Sequence, residues 1–457
     1  MKIAATISGR LATFVAEQTL AATPAAVRER AKLLMLDAIG NAYAATRFPF
    51  ARVALDALAT LGAGDSVVIG MNARLALRDA ATVNGVLMHG LDYDDTYLPG
   101  SVHLAASCVP TALGVGAQLH ATGEELLAAC LLGLEIDARL AAAANGGFVR
   151  AGFHATSIAG TFAAALVAGR LMKLDADRLV MAQGIALSTA SGNLQPMQDG
   201  SWTKRMHPGW AAACGITAAT LARAGYVGPS EAYEGRFGLY PCFLGQHASS
   251  ADVGAIARDL CERWEFPRTS VKLFPACHQL HAFMNAGIEL FRRRNMAPDD
   301  IDTVRALVAE AAVPLVCEPA HAKRRPATSY AAQFSLHYAI ACALTRGRFG
   351  LQEIEEASYT DPGLLRLAQR VEYAIDPDSG FPKYRSGEVI VTLKSGEVLS
   401  RRENILPDEP ASAEEIMAKF LRNVEGRLER TQAQRLMDRV MSLEALPDAR
   451  ALAQDLA

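Results

Sequence analysis

Five polar clusters stand out against an otherwise apolar chain, because polar groups in a packed interior need partners. The first is His89-Gly-Leu-Asp-Tyr-Asp-Asp-Thr-Tyr, followed by His103. Asp92, Asp94 and Asp95 lie close enough in sequence to raise one another's pKa, and a carboxylate beside an imidazole orients it for proton transfer. The competing reading is a helix C-terminus capped by a polar loop. The second cluster is Gly152-Phe-His-Ala-Thr-Ser, which places His154 ahead of a helix rich in small residues. A helix N-terminus offers free amides to an anion. The plainer alternative is an N-cap by Thr156 or Ser157.

The third, Gly200-Ser-Trp-Thr-Lys-Arg-Met-His-Pro-Gly-Trp, brings Lys204 and Arg205 to the start of another such helix. Arginine grips a carboxylate with two N–H groups and lysine offers a compact charge; a surface basic pair is the bland alternative. The fourth is Lys272-Leu-Phe-Pro-Ala-Cys-His-Gln-Leu-His. Cys277, His278 and His281 invite a metal reading, but a structural zinc site takes four ligands and no CxxC or HxxxH partner accompanies them. No metal is therefore expected. Cys277 reads as a small buried hydrophobe before it reads as a nucleophile. The fifth, Lys323-Arg324-Arg325-Pro326, is either a solvated loop or a gate for a substrate carboxylate.

Other chemistries leave no trace. There is no GxGxxG after a strand, no GxxxxGK[ST], no GxSxG and no HExxH. The 457 residues carry 45 Lys+Arg against 48 Asp+Glu, a net charge of −3, which excludes a broadly basic nucleic-acid binder. No stretch reads as a charge-free membrane span of ~18 residues, and the N-terminus lacks a signal core. Eight scattered cysteines fit reduced thiols in a cytoplasm.

The elements that must position these clusters are mostly helices. With 51% hydrophobic residues the chain can bury a large core. Thr23-Pro24 is expected to open one helix, with Thr23 as N-cap and Pro24 at the first helical position. Thr122 with Glu125, and Ser412 with Glu415, form capping boxes. Helices are expected over 155–174, 178–190 and 207–225, where alanine and glycine permit close packing. The character changes after Phe266. Val304, Ala306 and Val308 lie two apart, and Glu388 to Ser400 reads as a hairpin turning at Ser395-Gly396. Helices are expected over 329–345 and 351–357. The expected organisation is a mostly α protein: a helical domain over 1–265 completed by helices over 407–457, with a smaller α/β lid domain over 266–406.

Taken in order, the clusters, with Gly160-Thr-Phe-Ala-Ala-Ala and Ala186-Leu-Ser-Thr-Ala-Ser-Gly, resemble the MmgE/PrpD family along nearly the whole chain. That family includes 2-methylcitrate dehydratase, cis-aconitate decarboxylase and iminodisuccinate epimerase. The resemblance implies a homodimer without a cofactor and a site in a cleft between the two domains. It places Asp92, Thr96, His103, His154, Lys204 and Lys272 on active-site positions of the decarboxylase branch. Two departures accompany it. Cys277 stands where that branch has a histidine, with His278 next to it, and His103 is followed by Leu104 rather than proline.

The resemblance and the residue types together imply a lyase acting on a small di- or tricarboxylate. Lys204, Lys272 and Arg205 would hold carboxylates and stabilise an enediolate formed as an α-proton leaves. His103, oriented by Asp92, would be the base or acid, with His154 or His278 serving the opposite face. The expected reaction is dehydration of the 2-methylcitrate type. The alternatives at the same site are epimerisation and decarboxylation.

Overall fold

The computed structural model describes residues 5–294, 296–381, 383–406 and 410–457. Helix accounts for 60% of it, and the sheets are few and small, so the chain is mostly α with a smaller α/β portion. Two compact units divide it: Met1–Val271 with Pro410–Ala457, and Lys272–Glu409. The division falls after Val271 rather than at the composition change near Phe266. Glu135 holds the amides of Glu265 and Phe266 (2.8 and 3.1 Å), and Ser270 pairs with Thr96, so the chain to Val271 is tied to the helical unit. No helix among the described residues is long and apolar enough to cross a membrane.

The first unit runs through α1 (Ile7–Glu17), α2 (Ala25–Ala45), α3 (Pro49–Ala59), a short hairpin of β1 (Ser66–Val68) and β2 (Ala73–Leu75), α4 (Leu77–His89), α5 (Ala105–Gln118), α6 (Gly123–Ala143), α7 (Ala155–Leu171), α8 (Ala176–Leu187) and α9 (Thr203–Arg223). The Thr122–Glu125 capping box opens α6 as expected. Thr23 does not cap α2. Its hydroxyl donates back to the Thr19 carbonyl at 3.0 Å, and Pro24 is itself the N-cap, its carbonyl receiving the Val27 and Arg28 amides.

Small residues decide how closely the helices pack. α9 packs chiefly against α7 and α4. A Cβ on Gly209 of α9 would stand 2.1 Å from the Thr82 carbonyl oxygen of α4, and one on Gly215 would stand 2.5 Å from Ala164 of α7. Two helix backbones therefore lie almost in contact, which only glycine permits there.

The second unit contains α10 (His281–Arg293), β3 (Ile301–Val308), α11 (Leu336–Arg346), β4 (Val371–Ile375), β5 (Arg385–Leu393) and β6 (Val398–Ile405). Its sheet has the order β4-β3-β5-β6, with β3 and β4 parallel and the other neighbours antiparallel. The buried face of β5 carries Val389, Val391 and Leu393, and β3 buries Val304, Ala306 and Val308, the residues singled out by the alternation. The helix expected over 329–345 is broken. Ser329–Gln333 ends at Phe334, and the Ser335 hydroxyl caps α11 by accepting from Tyr338. The segment near Leu351 is a short 3-10 turn followed by Glu356–Tyr359.

The chain then returns to the first unit as α12 (Ala413–Val424), opened by the Ser412–Glu415 capping box, and α13 (Arg430–Met441). α12 packs on α2. Lys419 lies fully buried there, with its Nζ 2.6 Å from Asp37, 2.7 Å from the Tyr93 carbonyl and 3.8 Å above the centre of the Tyr93 ring.

Candidate active site

Four elements of the helical unit converge on one buried group of side chains. α4 ends at His89, and the chain reverses immediately. The Asp92 amide donates to the His89 carbonyl at 2.9 Å, with Asp92 in the left-handed region at φ 48°. Aspartate tolerates that conformation better than most residues, and its use here marks a tightly specified turn. The loop closes through the Tyr97–Val102 bridge, with Ser101 at φ 50°, and delivers His103 back beneath Asp95. The Asp95 carboxylate accepts the amides of Leu104 (2.8 Å) and Ala105 (3.1 Å), and so caps α5 from nine residues upstream. Burial, with Asp94 adding, pushes the Asp95 carboxyl up to about 7.

Two carboxylates divide the basic side chains. Lys204 Nζ donates to Asp92 Oδ1 at 2.7 Å. Asp94 bridges two imidazoles, with Oδ2 2.7 Å from His89 Nδ1 and Oδ1 3.4 Å from His103 Nδ1. The carboxylate at His103 Nδ1 is thus that of Asp94, not the Asp92 expected to orient it. His103 Nδ1 also donates to the Asp95 carbonyl at 2.6 Å, and Thr96 Oγ1 lies 3.5 Å from it. A carbonyl only accepts, so the proton sits on Nδ1, and in the neutral ring Nε2 carries the lone pair.

His154 is the N-cap of α7, yet no side chain caps that helix. The hydroxyls proposed for capping are used elsewhere: Thr156 accepts the His103 amide at 3.1 Å and Ser157 donates to the His207 carbonyl at 3.2 Å. His154 Nδ1 lies 3.0 Å from His207 Nδ1. The rings of His89, His103 and His154 pack together at centroid distances of 4.8, 5.5 and 6.2 Å. Burial first, then Lys204, holds both His154 and His207 below the ordinary imidazole range, His207 at about 4.

His89, His103 and His154 bring one ring nitrogen each to within 4.8 Å of the others, as Asp92, Asp94 and His103 do with their donor atoms. A cation there would face the Lys204 ammonium, whose field already opposes a proton on His154. The group reads as a proton-handling cluster around a fixed cation.

Arg205, expected to share a carboxylate with Lys204, points elsewhere. Its Nε donates to the Gly90 carbonyl at 2.8 Å and its guanidinium sits 4.5 Å over the Phe50 ring, in a 620 Å³ apolar groove that Trp202 and Trp210 also line. Successive helical residues are about 100° apart, so Lys204 and Arg205 cannot face one site. His207, three residues on from Lys204, does share its face. That spacing was a usable signal, and His207 was given no role; His89 and Asp94 were singled out within the first cluster but assigned no individual role.

In the second unit Lys272 and Cys277 are buried, and the Cys277 amide donates to the Gln333 carbonyl at 2.9 Å. The rings of His278 and His281 stand 4.6 Å apart, and His281 Nε2 meets the Ala276 carbonyl at 3.3 Å. Lys323 is neither a solvated loop residue nor a gate: it lies in the helix Ala320–Arg324 and donates to the carbonyls of Leu315 (2.6 Å) and Phe334 (2.8 Å).

The partly buried Lys204 and the buried Asp92 thus form a pair beside His103 and His154, on a helical unit joined in sequence to an α/β unit. The MmgE/PrpD N-terminal domain matches residues 9–251 and the MmgE/PrpD C-terminal domain residues 274–444, and the chain belongs to the MmgE/PrpD family. A cis-aconitate decarboxylase-like protein of Aspergillus oryzae is 25% identical over 464 residues, covering 97% of this chain and 95% of its own. Cis-aconitate decarboxylase of Aspergillus terreus is 25% identical over 451 residues, covering 93% and 90%. Cis-aconitate decarboxylase of Homo sapiens is 28% identical over 447 residues, covering 93% and 89%.

Proposed function

We propose that this protein is a lyase for a small di- or tricarboxylate and that its reaction is decarboxylation of the cis-aconitate type. The observation that carries the reading is the pairing of the partly buried Lys204 with the buried Asp92, beside the buried His103 and His154. An ammonium has three donors, of which Asp92 takes one, leaving others for a substrate carboxylate. The names of the relatives favour decarboxylation over the dehydration expected from the sequence.

In that reaction the bond to one carboxyl carbon breaks and carbon dioxide leaves. The electron pair moves through the adjacent double bond toward a second carboxylate, where negative charge collects. Lys204 stabilises that charge, and an imidazole delivers a proton to the carbon. His103, after taking a proton on Nε2, and His154 are the candidate proton donors, and Asp92 sets the position of Lys204. Thr96 completes this side. Lys272 and His278 carry the roles the family resemblance gives them, and Arg205 acts through the Gly90 carbonyl ahead of the Asp92 turn rather than on the substrate. No step here calls on a cofactor. A homodimer is the expected assembly.

Proton NMR in deuterium oxide with cis-aconitate, 2-methylcitrate, citrate and iminodisuccinate tests the reading. Release of carbon dioxide with a new terminal alkene and one deuterium incorporated supports it. Water loss from 2-methylcitrate alone establishes the hydro-lyase instead, and exchange at Cα without an alkene establishes an epimerase. No turnover of any acid overturns the lyase reading.

A further inference from the structure

We propose that His207 is the positioning partner of His154, and that the two rings share one proton between their Nδ1 atoms, so that His154 can present either a bare or a protonated Nε2. The proposal rests on the reading that His154 works in the site. At 3.0 Å the two Nδ1 atoms are at hydrogen-bond distance. Two N–H groups cannot face each other at that distance, and two lone pairs would repel, so one Nδ1 donates and the other accepts.

The consequence for His154 is a coupled tautomer. With the shared proton on His154 Nδ1, its Nε2 is a base. With His207 holding protons on both its nitrogens, neutral His154 carries its hydrogen on Nε2 and can release it as the Nδ1 proton returns. When His154 Nε2 takes a proton, the Nδ1 proton passes to His207 Nδ1. His154 is then neutral again and His207 holds the charge. The return of that proton to His154 Nδ1 releases the one on Nε2.

The surroundings favour moving the charge outward in this way. Lys204, His89 and His103 all oppose positive charge on His154, whereas Lys204 is the charge that acts on His207. The Ser157 hydroxyl anchors the His207 backbone, and the Gly192 carbonyl accepts the His154 amide at 3.1 Å, so both rings are held from their own main chains. Gly192 also passes close to the pair: a Cβ there would stand 3.3 Å from His207 Cγ.

Long-range proton–nitrogen NMR on the full chain labelled at histidine, between pH 5 and 9 without substrate, reads the pair directly. The expected result is one ring with hydrogen on Nδ1 and the other with hydrogen on Nε2, and a changed His154 spectrum in His207→Phe. Both rings carrying hydrogen only on Nε2 across the range would overturn the pairing. The second measurement is the pH profile of kcat on whichever acid is turned over. His207→Phe should lower kcat on the order of a hundredfold with KM little changed and displace a limb of the profile. His207→Asn, which keeps a polar group near the place of Nδ1, should recover part of kcat. Unchanged kcat and profile in both variants, with thermal midpoints intact, overturns the catalytic role. If the wild type turns over no acid, the function proposed above fails while the NMR result still decides the pairing.

Discussion

The ring Nδ1 of His103 donates to the main-chain oxygen of Asp95 at 2.6 Å, and the side chain of the same Asp95 accepts the amides that begin α5. One residue thus sets both the tautomer of a candidate catalytic imidazole and the start of the helix behind it. The Asp95 carboxyl is raised to about 7, with burial the main cause. Between the ordinary carboxylate value of 3.8 and 7 the unfolded chain has released a proton that the folded chain still holds. Stability must therefore fall as pH rises through that window and level off above it, by on the order of a few kcal/mol from this group. Asp95→Asn should flatten that slope. Urea unfolding of both proteins between pH 4 and 8 checks it, and parallel curves would refute it.

Lys204 pairs with the buried Asp92, so removing the lysine strands the carboxylate. Lys204→Met should cost roughly 3 kcal/mol of stability and abolish turnover. Lys204→Met combined with Asp92→Asn should regain part of the stability and none of the activity. A double-mutant cycle measured by denaturant unfolding separates the pair's coupling from the single effects. Additive single effects would mean that the pair is not coupled.

Gly209→Ala would place a methyl group 2.1 Å from the Thr82 carbonyl oxygen. Backbone cannot rotate aside, so α4 and α9 must separate, at a cost of roughly 3 kcal/mol. Because α4 ends at His89 and α9 carries Lys204 and His207, activity should fall with stability. Gly62→Ala, where a Cβ meets nothing within 4 Å, is the matched control. It should change stability by no more than about 0.5 kcal/mol. Equal thermal midpoints for the two variants would contradict the close approach.

Lys419→Met should cost about 3–5 kcal/mol, because Asp37 is left buried without its cation. The variant should also lose activity disproportionately, since Lys419 holds the Tyr93 carbonyl in the loop between His89 and His103. Residual activity at a temperature where the variant is fully folded checks the second effect.

Local patterns were legible where neighbours in sequence decide the structure. The Thr122–Glu125 and Ser412–Glu415 capping boxes formed, as did the buried alternation of Val389, Val391 and Leu393. Thr23 misled because a competing local acceptor, the Thr19 carbonyl, takes its hydroxyl. The partners within the site were harder to read, because they are set by a tight turn at Asp92 and by contacts between elements distant in sequence. Nothing in the spacing of Asp92, Asp94 and Asp95 says which carboxylate meets Lys204, which bridges His89 and His103, and which caps α5. The helical offset that separates Lys204 from Arg205 and joins it to His207 was available in the sequence, yet Lys204 was grouped with Arg205 and His207 was given no role.

The order of elements along the chain has a consequence for synthesis. The loop that holds His103 is anchored by a lysine on α12, more than three hundred residues downstream, with the entire α/β unit translated in between. On the ribosome, the residues of the helical unit emerge early but wait for Lys419 before Asp37 has its cation and the Tyr93 carbonyl its ammonium donor. A nascent or prematurely terminated chain therefore lacks the cation that pairs Asp37, and only the chain extended through α12 ties down the loop that carries His103.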